Sequence, residues 1–262
     1  MRAKGELRSG LATQMRVIHA LLMREIITRY GRENLGFWWL LVEPIIFTLG
    51  VVILWNTFHG ALAMRIDITP FIFTGYSTLL LWRYCSFRGL KAIEPNRSLL
   101  HHRQVKIQDV FYARMILEVA GVTGAFLVLQ LVLGALGLIG FPADPLLMIV
   151  GWLLISWFSA CLGIILGCLS EKYDIVERLW HPTSYFLLPI SGVFYMVEWL
   201  PKNLQTLALW VPMVHPVEML RKGYWGDSVR AHYDFSYIGL VCLLMTLAAL
   251  LLMNDRRLRG LA

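Results

Sequence analysis

Side chains able to do chemistry are thinly spread along this chain. Glu43, Glu118, His181 and His215 enter or border apolar stretches. A membrane-embedded hydrolase or transferase needs an acid, a base and an orienting group converging on one point. These four fall in separate stretches at different depths and offer no such set. His101 and His102 are neighbours, and adjacent residues on a helix point apart, which argues against a shared metal. There is no HExxH, and no Gly-Lys pair from which a phosphate-cradling loop could be built. The cysteines Cys85, Cys161, Cys168 and Cys242 form no CxxC. Cys161 and Cys168 lie roughly 10 Å apart along a helix, too far for a disulfide. All four read as small apolar packing residues.

What remains is the chemistry of attraction and passage. An acid inside an apolar run usually faces a bundle interior and marks a pathway or a pair. Glu118 has Arg114 one helical turn before it, so a local pair is expected. Glu43 has no such neighbour and is expected to face inward, beside Pro44, which removes one backbone N–H. Arg83, Arg88, Arg114 and Arg178 lie near the expected inner face. They would draw an acidic polymer or a lipid phosphate, as cationic clefts concentrate anions; the same residues equally serve membrane topology. Trp38 and Trp39 stand at one expected membrane interface, and Trp199, Trp210, Tyr224 and Trp225 at the other. Such rings gather at headgroup level, and they also suit a sugar path, because a ring face accepts sugar C–H groups. Both readings stay open.

The elements that position these groups follow from composition. The chain is 58% hydrophobic and 16% charged, against about 45–50% and about 25% in soluble domains. That excludes a soluble globular fold, a disulfide scaffold and a disordered tail. Six apolar runs, 37–58, 68–87, 115–140, 146–169, 179–197 and 235–253, are each long enough for a core of about 30 Å. The net charge of +7 could suggest nucleic acid. Allotting the 24 Lys and Arg to the intervals between runs places nineteen on one side and five on the other. Positive-inside then puts both termini, 83–114 and 170–178 in the cytoplasm, and no nucleic-acid partner is expected. No secretory signal is seen at the N-terminus.

Two segments break the spanning pattern. In 11–30, Leu11, Met15, Ile18, Leu22 and Ile26 recur at helical spacing among basic residues, as in a helix lying on a membrane surface or on a partner. In 198–233, Leu204–Trp210 is too short to span and is bracketed by Pro201, Pro212 and Pro216. A re-entrant or interfacial helix fits it, and a plain external loop is the alternative. Ser159, Gly163 and Gly167 follow one another at i+4, which lets two helices approach closely, in a homodimer seam or within the chain. The expected fold class is therefore an all-α membrane protein, one domain over 1–262. It has six transmembrane helices, an N-terminal amphipathic interface helix, and short re-entrant helices before the last span.

Three stretches carry a resemblance: Arg29-Tyr30-Gly31-Arg32-Glu33-Asn34-Leu35-Gly36-Phe37-Trp38-Trp39 running on to Glu43-Pro44; Ala92-Ile93-Glu94-Pro95-Asn96-Arg97 through Arg103-Gln104-Val105-Lys106; and Trp210 through Glu218. Together, and in this order over essentially the whole chain, they resemble ABC-type-2 exporter permeases, nearest the capsular-polysaccharide export branch. The resemblance implies a half-transporter: a homodimer of this permease with two ATP-binding subunits, exporting a lipid-linked polysaccharide across a bacterial inner membrane. ATP and Mg would sit on the partner subunit, with no cofactor on this chain. Membrane lipids, and a periplasmic export partner, complete the implied assembly. The coupling segment carried over is 94–106, with Glu94, Asn96, Arg97, Leu99, Leu100, His101, His102 and Arg103 as the residues meeting the ATPase. Gln104 departs from the pattern, where related sequences often carry Pro. Export of O-antigen or another glycan, and a lipid-linked glycosyl or acyl transferase, are the alternatives.

Overall fold

The computed structural model describes residues 2–30, 36–59, 66–100 and 105–255. Among these every regular element is helical: α1 (Arg2–Tyr30), α2 (Gly36–His59), α3 (Ile68–Leu90), a 3-10 turn Glu94–Asn96, α4 (Arg97–Leu100) and α5 (Ile107–Ala135). There follow α6 (Pro145–Ser170), α7 (Ile175–Ile190), α8 (Lys202–Leu209), α9 (Val214–Trp225) and α10 (Phe235–Met253). By length and composition α5, α6 and α10 can each cross a membrane, and α2 carries a shorter apolar stretch, Leu41–Trp55. All six apolar runs become helix, with shifted edges. α5 starts at Ile107, eight residues before its run, where Asp109 accepts the Lys106 N–H at 3.0 Å and satisfies the backbone at the helix start.

The fifth run departs from expectation. Its helix ends at Ile190 rather than continuing to 197, so α7 has 16 residues and a length of about 24 Å, short of a full crossing. Pro182 and Pro189 lie inside it, and each removes a backbone donor. The chain then turns at Gly192, whose φ of +79° is one that other residues rarely adopt.

α3 and α6 form the spine. A Cβ on Gly89 would overlap the Gly163 carbonyl, one on Gly163 the Cys85 carbonyl, and one on Gly167 the Gly89 carbonyl. The small-residue stripe of α6 is thus occupied by α3 of the same chain, and Ser159 is fully buried. Such contact brings backbones together without interlocking side chains. Around it Phe73, Phe126 and Trp152 stack at centroid distances of 4.7 and 4.2 Å. Several hydroxyls inside the bundle are satisfied locally: Thr74, Thr78, Ser86, Ser156 and Ser159 each donate to a carbonyl three or four residues back. The four cysteines are free and buried.

α1 lies against α5 by a face the apolar pattern only half describes. Leu21 is buried, and Val17, Ile18 and Leu22 pack on the core. On that face Gln14 donates to Asp109 of α5 at 3.0 Å, and Arg24 and Glu25 make the polar contacts described below. Met15 and Ile27 are 67% and 65% exposed on the other side, so the expected stripe is divided between the bundle and the surroundings.

Candidate functional site

Two polar lattices lie at opposite ends of the bundle, and the expected functional residues are shared between them. The first surrounds the turn 94–100. Ser170 at the end of α6 donates to the Leu90 carbonyl at 3.1 Å, fixing the ends of α3 and α6 together. From there the chain enters the 3-10 turn with one side buried and one side open. Ala92, Ile93, Asn96 and Leu100 are 5% exposed or less, whereas Glu94, Pro95, Arg97 and Ser98 are exposed. Asn96 ties the turn down: its amide donates to the Ala92 carbonyl at 2.9 Å, and its oxygen accepts Arg24 of α1 at 2.7 Å.

Charges from five helices close the lattice. Arg97 meets Glu171 at 3.7 Å, Lys91 meets Glu177 at 3.1 Å, and Lys172 pairs with Asp255 beyond α10. Burial holds the Glu171 carboxyl above its ordinary value, with the Arg97 charge opposing that rise. Arg114 reaches Glu25 of α1 at 2.9 Å and donates to the Lys91 carbonyl, while Glu118 lies 3.8 Å from Arg88. The pairing expected within α5 thus reaches out to α1 and α3.

This placement sorts the expected coupling residues. Glu94, Arg97 and Ser98 present themselves to whatever lies outside. Leu99 is half-buried and packs on the core. Leu100, 1% exposed, is an anchor of the turn and has no surface to offer a partner. His101, His102 and Arg103 lie outside the described residues.

The expected path residues are not brought into one cleft. Glu43 accepts the Tyr84 hydroxyl at 3.3 Å. Arg83 stacks over Tyr185 at 4.9 Å and over Phe87 at 5.4 Å. Arg88 and Arg114 have acidic partners. Arg178 is exposed on α7, with no ion-pair partner among the described residues. Trp38 and Trp39 are 61% and 52% exposed. His181 lies against Phe87. The acids and bases of a hypothetical transferase are each spent on separate structural partners.

The second lattice, at the other end, was not foreseen. Its centre is Arg221 on α9, fully buried. Its guanidinium donates to the carbonyls of Gly192 at 2.7 Å, Val193 at 2.6 Å and Tyr195, and lies 4.1 Å over the Phe71 ring. Three residues earlier, Glu218 accepts backbone N–H groups from Val197 at 3.2 Å and His232 at 3.0 Å. His215 accepts the Asp234 N–H at its Nδ1 and meets the Leu209 carbonyl through Nε2 at 2.9 Å, so it is neutral with the proton on Nε2. Burial lowers its pKa accordingly. Glu198 meets the His232 ring at 2.6 Å, and that hydrogen bond holds its carboxyl below the ordinary value.

These side chains supply the hydrogen-bond partners that buried, irregular backbone would otherwise lack. The α5–α6 hairpin is joined to the same assembly. Gly140 donates to the Tyr224 hydroxyl at 2.7 Å, and Ala143 and Asp144 donate to the carbonyls of Tyr224 and Gly223. Tyr224 is therefore a buried strut, with Trp225 edge-on to it. Trp199 leans on Phe71 at 5.1 Å, and only Trp210, 73% exposed, stands clear. The available sequence signal was the pair Glu218 and Arg221 set among Val217, Met219 and Leu220, where charges interrupt an apolar stretch without being surface residues.

Comparison with known proteins follows the same lines. Residues 16–225 match the family described as ABC-2 type transporter. The chain is 40% identical over 248 residues, 95% of its length and 94% of the other's, to capsule polysaccharide export inner-membrane protein BexB of Haemophilus influenzae. It is 43% identical over 242 residues, 91% of each, to capsule polysaccharide export inner-membrane protein CtrC of Neisseria meningitidis serogroup A. To polysialic acid transport protein KpsM of Escherichia coli it is 27% identical over 252 residues, 95% of this chain and 96% of that one. With the match covering the bundle from α1 to the end of α9, this chain belongs to the ABC-2 type transporter family.

Proposed function

We propose that the chain is the membrane permease of an exporter for a lipid-linked capsular polysaccharide, driven by ATP hydrolysed on separate subunits. The observation that carries this is end-to-end identity of about two residues in five with capsule export permeases. The lattice around 94–100 supports it. A segment bolted by Asn96 and Leu100, with Glu94, Arg97 and Ser98 facing outward, is built to receive a push and pass it to α1, α3 and α6. ATP can drive the permease only by binding the partner's states differently. Two copies of this chain would then shift against one another to open a path.

In this reading the turn end faces the cytoplasm with both termini, the α8–α9 end faces the periplasm, and the six apolar helices form the membrane domain, with α8 and α9 re-entering it. A periplasmic export partner would meet the outer end. The burial of Leu100 decides how to test the coupling. Its substitution would unfold the turn, so the exposed side must be changed instead. Reconstitution of the purified permease in proteoliposomes, with and without its ATP-binding subunit, tests the reading. Polymer transport is expected only when both the subunit and ATP are present. Transport without them would mark a channel, and glycosyl or acyl transfer by the permease alone would mark an enzyme.

A further inference from the structure

At the α8–α9 end a cleft of about 610 Å3 opens between α8, the segment 231–234 and the start of α10. Its size falls in the range of about 300–1,000 Å3 typical of small-molecule sites. Trp210 lines it, and the fold uses that residue through its backbone, the N–H donating to the Leu207 carbonyl at 3.2 Å and the carbonyl accepting the Tyr237 hydroxyl at 2.8 Å. The indole itself is left open. Thr206, His232, Tyr233 and Asp234 complete the lining used here. The Tyr233 hydroxyl has no hydrogen-bond partner among the described residues. Asp234 caps α10 through Oδ1 alone, accepting the N–H groups of Ser236 at 2.8 Å and Tyr237 at 3.1 Å. Its Oδ2 takes no such partner among the described residues. Below them His215, neutral and bonded at both nitrogens, makes a fixed floor.

An open indole beside a free carboxylate oxygen and a free phenol has the chemistry of sugar recognition. The indole offers a flat apolar face to ring C–H groups, and the carboxylate accepts from sugar hydroxyls in a charge-assisted bond. A bare acyl chain would desolvate Asp234 without compensation. An anionic ring would meet its negative charge.

We propose that this cleft is a subsite for an uncharged, hydroxyl-bearing pyranose unit of a glycan, which stacks on Trp210 and donates to Asp234. The inference rests on the export reading above and deepens it. The test is saturation-transfer NMR on the full chain in lipid nanodiscs, without ATP or partner, using maltotetraose and tetragalacturonate as probes. Maltotetraose is expected to bind, with affinity about tenfold weaker in Trp210→Ala and largely kept in Trp210→Phe. Asp234→Asn, whose oxygen still caps α10, is expected to bind about fivefold more weakly. Tetragalacturonate should bind more weakly than maltotetraose. No transfer to maltotetraose in the wild type, undiminished binding in Trp210→Ala, or equal binding of the anionic probe would each overturn the proposal. Because binding is read without transport, its failure leaves the export reading standing, and failure of ATP-dependent export leaves this result intact.

Discussion

The two ends of the bundle are held by different kinds of bond. Around Arg221 and Glu218, buried charged side chains reach backbone groups, and almost nothing there is shared with solvent. Around 94–100, most bonds join one side chain to another on a different helix, and several are half open: Arg97 is 58% exposed against Glu171, and Lys91 62% against Glu177. A charge spent on three carbonyls cannot let go of one loop without losing all three. An exposed ion pair is worth at most about 1 kcal/mol and can be traded for another partner at little cost. The first arrangement makes a frame. The second makes a surface whose contacts can be rewritten when a neighbour moves.

Arg221→Ala should show the contrast at its largest. Removing one member of a buried charge network costs about 3–5 kcal/mol, and the backbone at Gly192, Val193 and Tyr195 would lose its donors together. A large fall in the thermal midpoint of the purified permease is expected, with Arg221→Lys recovering only part, because an ammonium lacks the planar fork. A midpoint unchanged in Arg221→Ala would remove the distinction between the ends.

A smaller effect separates two pairs within the turn end. A double-mutant cycle on Arg97 and Glu171 should return a coupling below about 1 kcal/mol. The same cycle on Arg114 and Glu25, only 7% and 13% exposed, should return more and should loosen α1 to limited proteolysis. Equal couplings would mean that exposure is not what distinguishes these bonds.

The smallest effect is one of pH, at the edge of the frame. The Glu198 carboxyl is depressed by its hydrogen bond to His232. Its contribution is therefore complete above the ordinary value of 4.5 and is lost as pH falls through the lower folded value. Thermal melts of Glu198→Gln and wild type should differ near neutrality and converge in acid. A difference that grows toward acid would reverse the assignment.

Much of the bundle was legible because hydropathy and helical spacing report burial directly: the runs beginning at Ile68, Leu146 and Phe235 became helices within a residue or so of their starts. Chemistry that works against hydropathy was not. α5 begins at Ile107, under an Asp109 hydrogen bond to the Lys106 N–H that no hydropathy window registers, and α7 stops at Ile190 because its prolines and Gly192 outweigh an apolar sequence. The stripe Ser159, Gly163 and Gly167 announced a close approach but carried no address for its partner, which proved to be α3. In the turn, the resemblance pointed to 94–106 but could not separate the presented residues from the anchor Leu100. Arg221 and Glu218 were hidden because a charge in a stretch too short to span, just after Pro216, looks solvated until its carbonyl and amide partners are seen.

The central claim is that motion enters this chain through the exposed side of 94–100. It is tested most directly by ATP-driven polymer transport in proteoliposomes containing the ATP-binding subunit, comparing wild type with Glu94→Lys/Ser98→Glu. Neither residue anchors the turn, so the variant should melt like the wild type and should lose most ATP-dependent transport together with co-purification of the subunit. Full transport by a folded variant would contradict the account.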